Sequence, residues 1–199
     1  DVFGFMEALN QDLDIKPGGK NVFVLGAGGA ARAVCVALLE NGADCVSIAN
    51  RTLVYAKDLQ EELREFYPKA HLEAYVLNSM NLLRAIEQAD LIVQCTSVGM
   101  TPHVEDSPME NFVTIHAGQA VMDLIYSPSE TLFMKRCKER GAQVTNGLSM
   151  LVYQAAQAFE LMTGQRCDAK IMFDALKSVG HLPPETWARQ HRVPLQDQA

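Results

Sequence analysis

A glycine-rich turn constrains the fold of this chain more than any other feature. It reads Gly26-Ala27-Gly28-Gly29-Ala30-Ala31 and separates an apolar run, Asn21 to Leu25, from an amphipathic helical stripe. Gly26 permits a tight turn, Gly28 lets a phosphate approach the backbone, and the small Ala31 replaces the third glycine of the usual pattern. The first amides of the following helix are then free to bind a pyrophosphate. The order strand, glycine turn, helix therefore predicts a dinucleotide-binding unit.

The rest of the chain alternates short apolar runs with helical stripes. Further strands are predicted at Cys45 to Ala49, His71 to Leu77, Leu91 to Cys95, Ala120 to Tyr126 and Ala142 to Thr145. Helices are predicted near residues 56–66, 80–88, 131–140, 148–162 and 169–179, and a surface loop at 99–115. This alternation predicts an α/β, Rossmann-type fold, doubly wound, with a mainly parallel sheet of about six strands and helices on both faces.

The expected domain covers residues 1–179. It begins with a short linker helix at 1–10, for which Asp1 is the predicted N-cap, and ends with helices at 147–179. Residues 180–199 are rich in proline and polar residues, and we expect them to be a disordered tail. Because the sequence begins at Asp1 without a methionine, we also expect it to be a piece of a longer protein.

Composition excludes several classes of partner. The 17 basic and 24 acidic residues give a net charge of -7 without a cluster of Lys or Arg, which argues against nucleic acid. The apolar runs are too short to span a bilayer, so no membrane partner is expected. Five widely spaced cysteines form no CxxC motif and no paired Cys/His spacing, so the sequence predicts reduced thiols, a cytoplasmic location and no metal site.

The end of the second predicted strand indicates which dinucleotide binds. An Asp or Glu at this place accepts a hydrogen bond from the ribose 2′-hydroxyl and repels a 2′-phosphate. Here Asn50 is neutral, Arg51 offers a planar cationic fork suited to phosphate, and Thr52 adds a hydroxyl that can also cap the next helix. The sequence therefore predicts NADP rather than NAD, and with it hydride transfer. The alternative is that Arg51 is only a solvated surface arginine.

Four further segments carry a family resemblance. They are Asp1-Val-Phe-Gly4, Thr96-Ser97-Val98-Gly99-Met100, Asp123-Leu124-Ile125-Tyr126-Ser127-Pro128 and the stretch from Gly147 to Ala155. With GAGGAAR and NRT, they closely resemble the shikimate dehydrogenase family in order and approximate spacing, over about Asp1 to Lys177. The resemblance implies the cofactor-binding half of an enzyme that reversibly reduces 3-dehydroshikimate to shikimate with NADPH, in aromatic amino-acid biosynthesis, as a monomer or homodimer.

The same resemblance implies a set of site residues. Those expected beside the nicotinamide are Thr96, Ser97, Val98, Leu124, Gly147 and Met150. Those expected at the substrate are Asp1, Tyr126 and Gln154, and Asp1 is also the catalytic candidate because the family pairs an aspartate there with a catalytic lysine. That lysine lies in a preceding domain without a counterpart here, so we expect the isolated chain to bind NADP(H) without appreciable dehydrogenase activity. The alternatives are a core tyrosine at 126, a core methionine at 150 and a surface amide at 154, and Asp123 is expected to be structural.

Three other functions compete with this interpretation. A quinate/shikimate dehydrogenase would tolerate NAD and an additional substrate hydroxyl. Glutamyl-tRNA reductase has a related glycine loop, but the TSVGM and DLIYSP segments do not belong to it, and a basic surface for tRNA is absent. A nucleotide-sensing module without chemistry also remains open.

Overall fold

The computed structural model describes residues 1–77 and 79–178, and within them the chain forms six strands and seven helices. The strands are β1 Asn21–Leu25, β2 Cys45–Asn50, β3 His71–Val76, β4 Leu91–Gln94, β5 Ala120–Asp123 and β6 Gln143–Asn146. The helices are α1 Val2–Leu13, α2 Gly29–Glu40, α3 Leu53–Phe66, α4 Met80–Gln88, α5 Leu132–Glu139, α6 Leu148–Thr163 and α7 Ala169–Ser178. The tail predicted at 180–199 lies outside the described residues.

The six strands form one sheet in the order β3-β2-β1-β4-β5-β6, and every neighbouring pair is parallel. Parallel pairing places the carboxyl ends of all six strands at the same edge. The chain direction across the sheet reverses between β1 and β4, which is where open α/β sheets bind ligands. The predicted Rossmann-type sheet is confirmed.

Apolar side chains from both faces of the sheet form two core layers, because successive side chains of a strand point to opposite sides. In the first layer, Val22 and Val24 of β1 pack with α1, α2 and α3. In the second layer, Phe23 and Leu25 of β1 pack with α4 and α5. All of these strand side chains are almost completely buried, as expected for strands covered on both faces. Helices on both faces were also predicted correctly.

The segment 99–115 forms no helix or strand, as predicted, but it is more than a surface loop. Its Met109, Phe112 and Ile115 are buried in the second core layer. The ring of Phe112 lies 5.9 Å from that of Phe133 in α5. This segment therefore covers the sheet between β4 and β5, where a crossover helix would otherwise lie.

Several predicted boundaries differ from those of the structure, and two of the differences have a clear physical reason. The fifth strand ends at Asp123 rather than Tyr126, because the Asp123 Oδ1 accepts the backbone N–H of Ile125 at 3.0 Å and turns the chain. The first helix continues to Leu13 rather than ending near residue 10, because Leu9 and Leu13 extend its buried face.

Two residues that were predicted to cap helices occupy the N-cap position without making the capping hydrogen bond. Asp1 and Thr52 occupy the N-cap positions of α1 and α3, yet neither side chain makes a cap hydrogen bond. Both residues are exposed, so water can satisfy the first-turn amides in their place. Among the described helices, none has both the length and the apolar character needed to cross a bilayer.

Candidate functional site

The glycine turn lies at the carboxyl end of β1 and leads into α2. Gly26 has a φ of 111°, and a β-carbon there would lie 3.1 Å from the Thr96 Cγ2, so this position requires glycine. Gly28 is extended, with φ −91° and ψ −167°, a conformation open to any residue. A β-carbon on Gly28 or Gly29 would meet no atom within 4 Å. Packing therefore does not explain these two glycines, whereas a phosphate resting on the first amides of α2 would.

A cleft of about 770 Å³, here called the outer cleft, opens beside this turn. The predicted residues Asn50, Arg51 and Thr52 line one side, and Thr96, Ser97 and Val98 line another. The two groups are distant in the sequence, and the parallel sheet brings them together because both follow the carboxyl ends of strands. The remaining lining residues are Tyr55, Leu77, Asp106, Ser107, Pro108 and Glu110.

The arginine of the outer cleft is available to a ligand. Arg51 is exposed and forms no ion pair within the described ranges. By contrast, Arg32, the arginine of the GAGGAAR motif, is held by both carboxylate oxygens of Glu62 at 2.8 and 2.7 Å. The Asn50 Nδ2 donates to the Thr52 carbonyl at 3.0 Å and so fixes the bend that presents Arg51.

A buried glutamine that was not predicted as a site residue shapes the part of the outer cleft formed by Thr96 to Val98. Gln94 is fully buried, its Oε1 accepts the Thr96 N–H at 2.5 Å, and its Nε2 lies 3.2 Å from both the Thr96 and Val98 carbonyl oxygens. Buried polar side chains are nearly always hydrogen-bonded, so a glutamine ending the apolar run LIVQ was the available signal. Gln94 positions this loop at the reversal point of the sheet.

A second cleft of about 190 Å³, here called the inner cleft, is bordered by Ala30 of the glycine turn. It brings together all three predicted substrate residues and three of the residues predicted beside the nicotinamide. The lining residues are Asp1, Ala30, Leu124, Tyr126, Gly147, Met150, Leu151 and Gln154. As the helical spacing predicted, Gly147, Met150 and Gln154 contribute to one surface.

The exposure of individual residues decides between the alternatives left by the sequence. Tyr126 is 46% exposed, so it is not a core tyrosine. Met150 is 8% exposed and packs with the first core layer while also bordering the inner cleft. Gln154 is half-buried and lines the cleft, so it is not a freely solvated amide.

Two close approaches hold the inner cleft together. A β-carbon on Gly4 would lie 2.5 Å from the Met150 carbonyl oxygen and 3.0 Å from the Gln154 Cβ, so α1 begins directly against α6. This contact places Asp1 beside Gln154. Gly147 likewise lies against the Leu124 carbonyl with no room for a β-carbon. Each glycine thus brings two cleft-forming segments closer than any other residue would allow.

Asp123 is the buried last residue of β5 and lines neither cleft. Burial raises the pKa of its carboxyl to about 6, although the Thr131 hydroxyl and the Ile125 N–H both oppose that rise. The Thr131 Oγ1 donates to the Asp123 Oδ2 at 2.6 Å and also accepts the Met134 N–H at 3.2 Å. The structural role expected for Asp123 agrees with these contacts.

The glycine turn, the direction reversal of the sheet and the two flanking clefts define a dinucleotide-binding domain of the Rossmann class. Residues 9–127 match the family model "Shikimate / quinate 5-dehydrogenase", and residues 147–177 match "Shikimate 5'-dehydrogenase C-terminal domain". The chain therefore belongs to the shikimate/quinate 5-dehydrogenase family.

Individual relatives agree with this assignment. The chain is 42% identical, over 89% of its length, to a shikimate dehydrogenase (NADP(+)) of Caldanaerobacter subterraneus subsp. tengcongensis, and spans 61% of that protein. A shikimate 5-dehydrogenase from Thermus thermophilus, solved with NADP(H) and shikimate, superposes with a TM-score of 0.73 at 35% identity, covering 90% of this chain and 61% of that one.

A shikimate 5-dehydrogenase from Listeria monocytogenes, solved with shikimate and NAD, gives a TM-score of 0.79 at 27% identity and covers 88% of this chain and 62% of that one. The chain thus spans about three fifths of the length of the relatives it matches.

Proposed function

We propose that this chain is the NADP-binding part of a shikimate dehydrogenase, which reversibly converts shikimate to 3-dehydroshikimate. The relatives named for that reaction support the substrate. The observation that carries the cofactor choice is the exposed Arg51, which has no ion-pair partner within the described residues. It lines the outer cleft near a turn in which Gly28 and Gly29 face open space. A carboxylate at the end of β2 would favour NAD, and none is present there.

The proposed binding mode follows the two clefts. The amides from Gly26 to Ala30 and the positive end of α2 would hold the pyrophosphate. Asn50, Arg51 and Thr52 would bind the 2′-phosphate, with the guanidinium supplying the charge. The residues that would enclose the nicotinamide are Thr96, Ser97, Val98, Leu124, Gly147 and Met150. When bound, the nicotinamide supplies the hydride chemistry.

The substrate would lie in the inner cleft. Tyr126 offers a hydroxyl, Gln154 an amide and Asp1 a carboxylate, which together suit a small polyhydroxy acid. Such groups reject analogues that lack a hydroxyl, because the unmatched polar group would stay unpaired.

We also propose that the isolated chain binds its ligands without turning them over. The described residues that line the inner cleft include no lysine, the residue expected to pair with Asp1 and to give or accept the proton at the substrate oxygen. Incubation of the chain with shikimate and NADP⁺, followed by absorbance of the reduced cofactor, should show no rate above background. Turnover well above background would contradict this proposal.

Calorimetric titration with NADP⁺ and NAD⁺ tests the cofactor assignment. Arg51→Ala should weaken NADP⁺ binding by about 10- to 100-fold, the value of a hydrogen-bonded charge, and leave NAD⁺ binding nearly unchanged. Arg140→Ala is the matched control, because this exposed arginine follows α5 at the opposite edge of the sheet. Equal affinities for the two cofactors in the native chain would reject NADP specificity.

A further inference from the structure

A cluster of possible metal ligands lies at the edge of the sheet opposite the two clefts. Cys45 and His71 are the first residues of β2 and β3, and they are direct partners in the strand register. Ser47 and Glu73 form the next pair on the same face, since side chains alternate along a strand. This cluster was not predictable from the sequence, because its members come from two strands and form no short motif.

The distances within the cluster suit a metal ion. The Cys45 Sγ, a ring nitrogen of His71 and a carboxylate oxygen of Glu73 all lie within 4.8 Å of one another. The His71 Nε2 is 3.5 Å from the Glu73 Oε1. Tetrahedral zinc, with bonds of about 2.0–2.3 Å, holds its ligand atoms about 3.3–3.6 Å apart. Small side-chain rotations would therefore bring the three groups to coordinating distance.

Neighbouring hydroxyls already orient the carboxylate. The Glu73 Oε2 accepts hydrogen bonds from the Tyr75 hydroxyl at 2.6 Å and from the Ser47 hydroxyl at 3.0 Å, while its Oε1 faces His71. Hydrogen bonds that orient a ligating carboxylate are typical of protein metal sites.

The cluster is also accessible from solvent. It borders an open cavity of about 390 Å³, which Asp44, Ala85 and Gln88 help to line. The side chain of His71 is 64% exposed, whereas Cys45 is 9% exposed. An ion can therefore enter from the cavity, and a water molecule can take the coordination position that faces it.

We propose that Cys45, His71 and Glu73 bind one Zn²⁺ or a similar borderline divalent cation, with water as the fourth ligand. A thiolate, an imidazole and a carboxylate together match the preference of such ions for mixed S, N and O ligands. The Cys45 sulfur releases its proton to solvent as its bond to the metal forms. The bound ion links the edge strand β3 to β2 and stabilises the folded chain, because the unfolded chain holds no preformed site.

Titration of the full chain with Co²⁺ tests the site by spectroscopy, with a phosphine reductant to keep the thiols reduced. The native chain should develop a thiolate-to-cobalt charge-transfer band that saturates at one equivalent, and Zn²⁺ should abolish it. Cys45→Ser should lose the band, whereas Cys167→Ser, which changes a cysteine far along the sequence in the segment after α6, should keep it. Tyr75→Phe should weaken cobalt binding by about 10- to 100-fold, as loss of an orienting hydrogen bond does.

Thermal unfolding supplies a second readout that does not depend on Cys45. Zn²⁺ should raise the Tm of the native chain and of His103→Gln, but not that of His71→Gln, in which an exposed side chain is replaced and folding should be preserved. A native chain without the charge-transfer band, a band that persists in Cys45→Ser, or an equal Tm rise in all variants would each overturn the proposal.

Discussion

Gly147 lies directly against the carbonyl oxygen of Leu124, with no space between them for a β-carbon. The Gly147 N–H also donates to the Ile125 carbonyl at 3.2 Å, and the Leu124 N–H donates to the Gln94 carbonyl at 2.9 Å. The two Gly147 contacts join the segment after β5 to the start of α6, and both segments line the inner cleft. The shape of the cleft therefore depends on a glycine at 147.

Gly147→Ala should destabilise the chain and disturb the inner cleft. The new methyl group would force the two segments apart, and overpacking of this kind costs about 1–3 kcal/mol or more. Denaturant unfolding measures the loss. Gly29→Ala is a suitable control, since a β-carbon there meets no atom within 4 Å and the residue lies in a helix. Equal unfolding midpoints for both variants would mean that the approach at Gly147 is not as close as described.

Gly28→Ala should separate folding from cofactor binding. The backbone at Gly28 suits alanine and a β-carbon would meet no protein atom, so the unfolding free energy should change by less than about 1 kcal/mol. The same β-carbon would occupy space that a phosphate needs beside the amides of α2, so NADP⁺ affinity should fall by at least about tenfold. Calorimetry and denaturant unfolding of the same sample measure both quantities. An unchanged affinity would place the pyrophosphate elsewhere.

Two carboxylates reduce the positive charge that Arg51 brings to the outer cleft. Asp106 and Glu110 line the same cleft as Arg51 and lower the positive potential that a 2′-phosphate would meet there. The double change Asp106→Asn and Glu110→Gln should strengthen NADP⁺ binding about two- to fivefold, the scale of exposed charge interactions, with a smaller gain for NAD⁺. The difference should shrink as salt is added. Glu105→Gln, an exposed neighbour that lines neither cleft, should change neither affinity.

Most of the fold was predictable because it depends on local patterns. The runs at 21–25 and 91–94 are apolar throughout most of their length, as strands covered on both faces must be, and the glycine turn fixes where β1 gives way to α2. The boundary of β5 was not predictable from polarity alone. It depends on the Asp123 side chain, which accepts its hydrogen bond two residues along the chain.

In the candidate site, too, residues that belong to sequence motifs were predictable, and residues whose role depends on the folded structure were not. Arg51, Tyr126 and Gln154 follow recognisable motifs, and the structure brings each of them to a cleft. Gln94 was missed because its two carbonyl partners appear only after the loop has folded around it. The cluster around Cys45 was missed because its geometry comes from strand register, which a single sequence does not specify.

Asp123 should make the stability of the chain depend on pH. Its pKa in the folded state is about 6, above its ordinary value of 3.8, so between these values the folded chain holds more protons than the unfolded chain. The unfolding free energy should therefore fall by about 3 kcal/mol as the pH rises from below 4 to above 6.

Asp123→Asn cannot ionise, so its unfolding free energy should lack this decline, while Asp58→Asn, at an exposed position in α3, should retain it. Denaturant unfolding of the three proteins at a series of pH values measures the difference. If Asp123→Asn and the native chain lose stability in parallel over this range, burial does not raise the pKa of the Asp123 carboxyl in the folded chain.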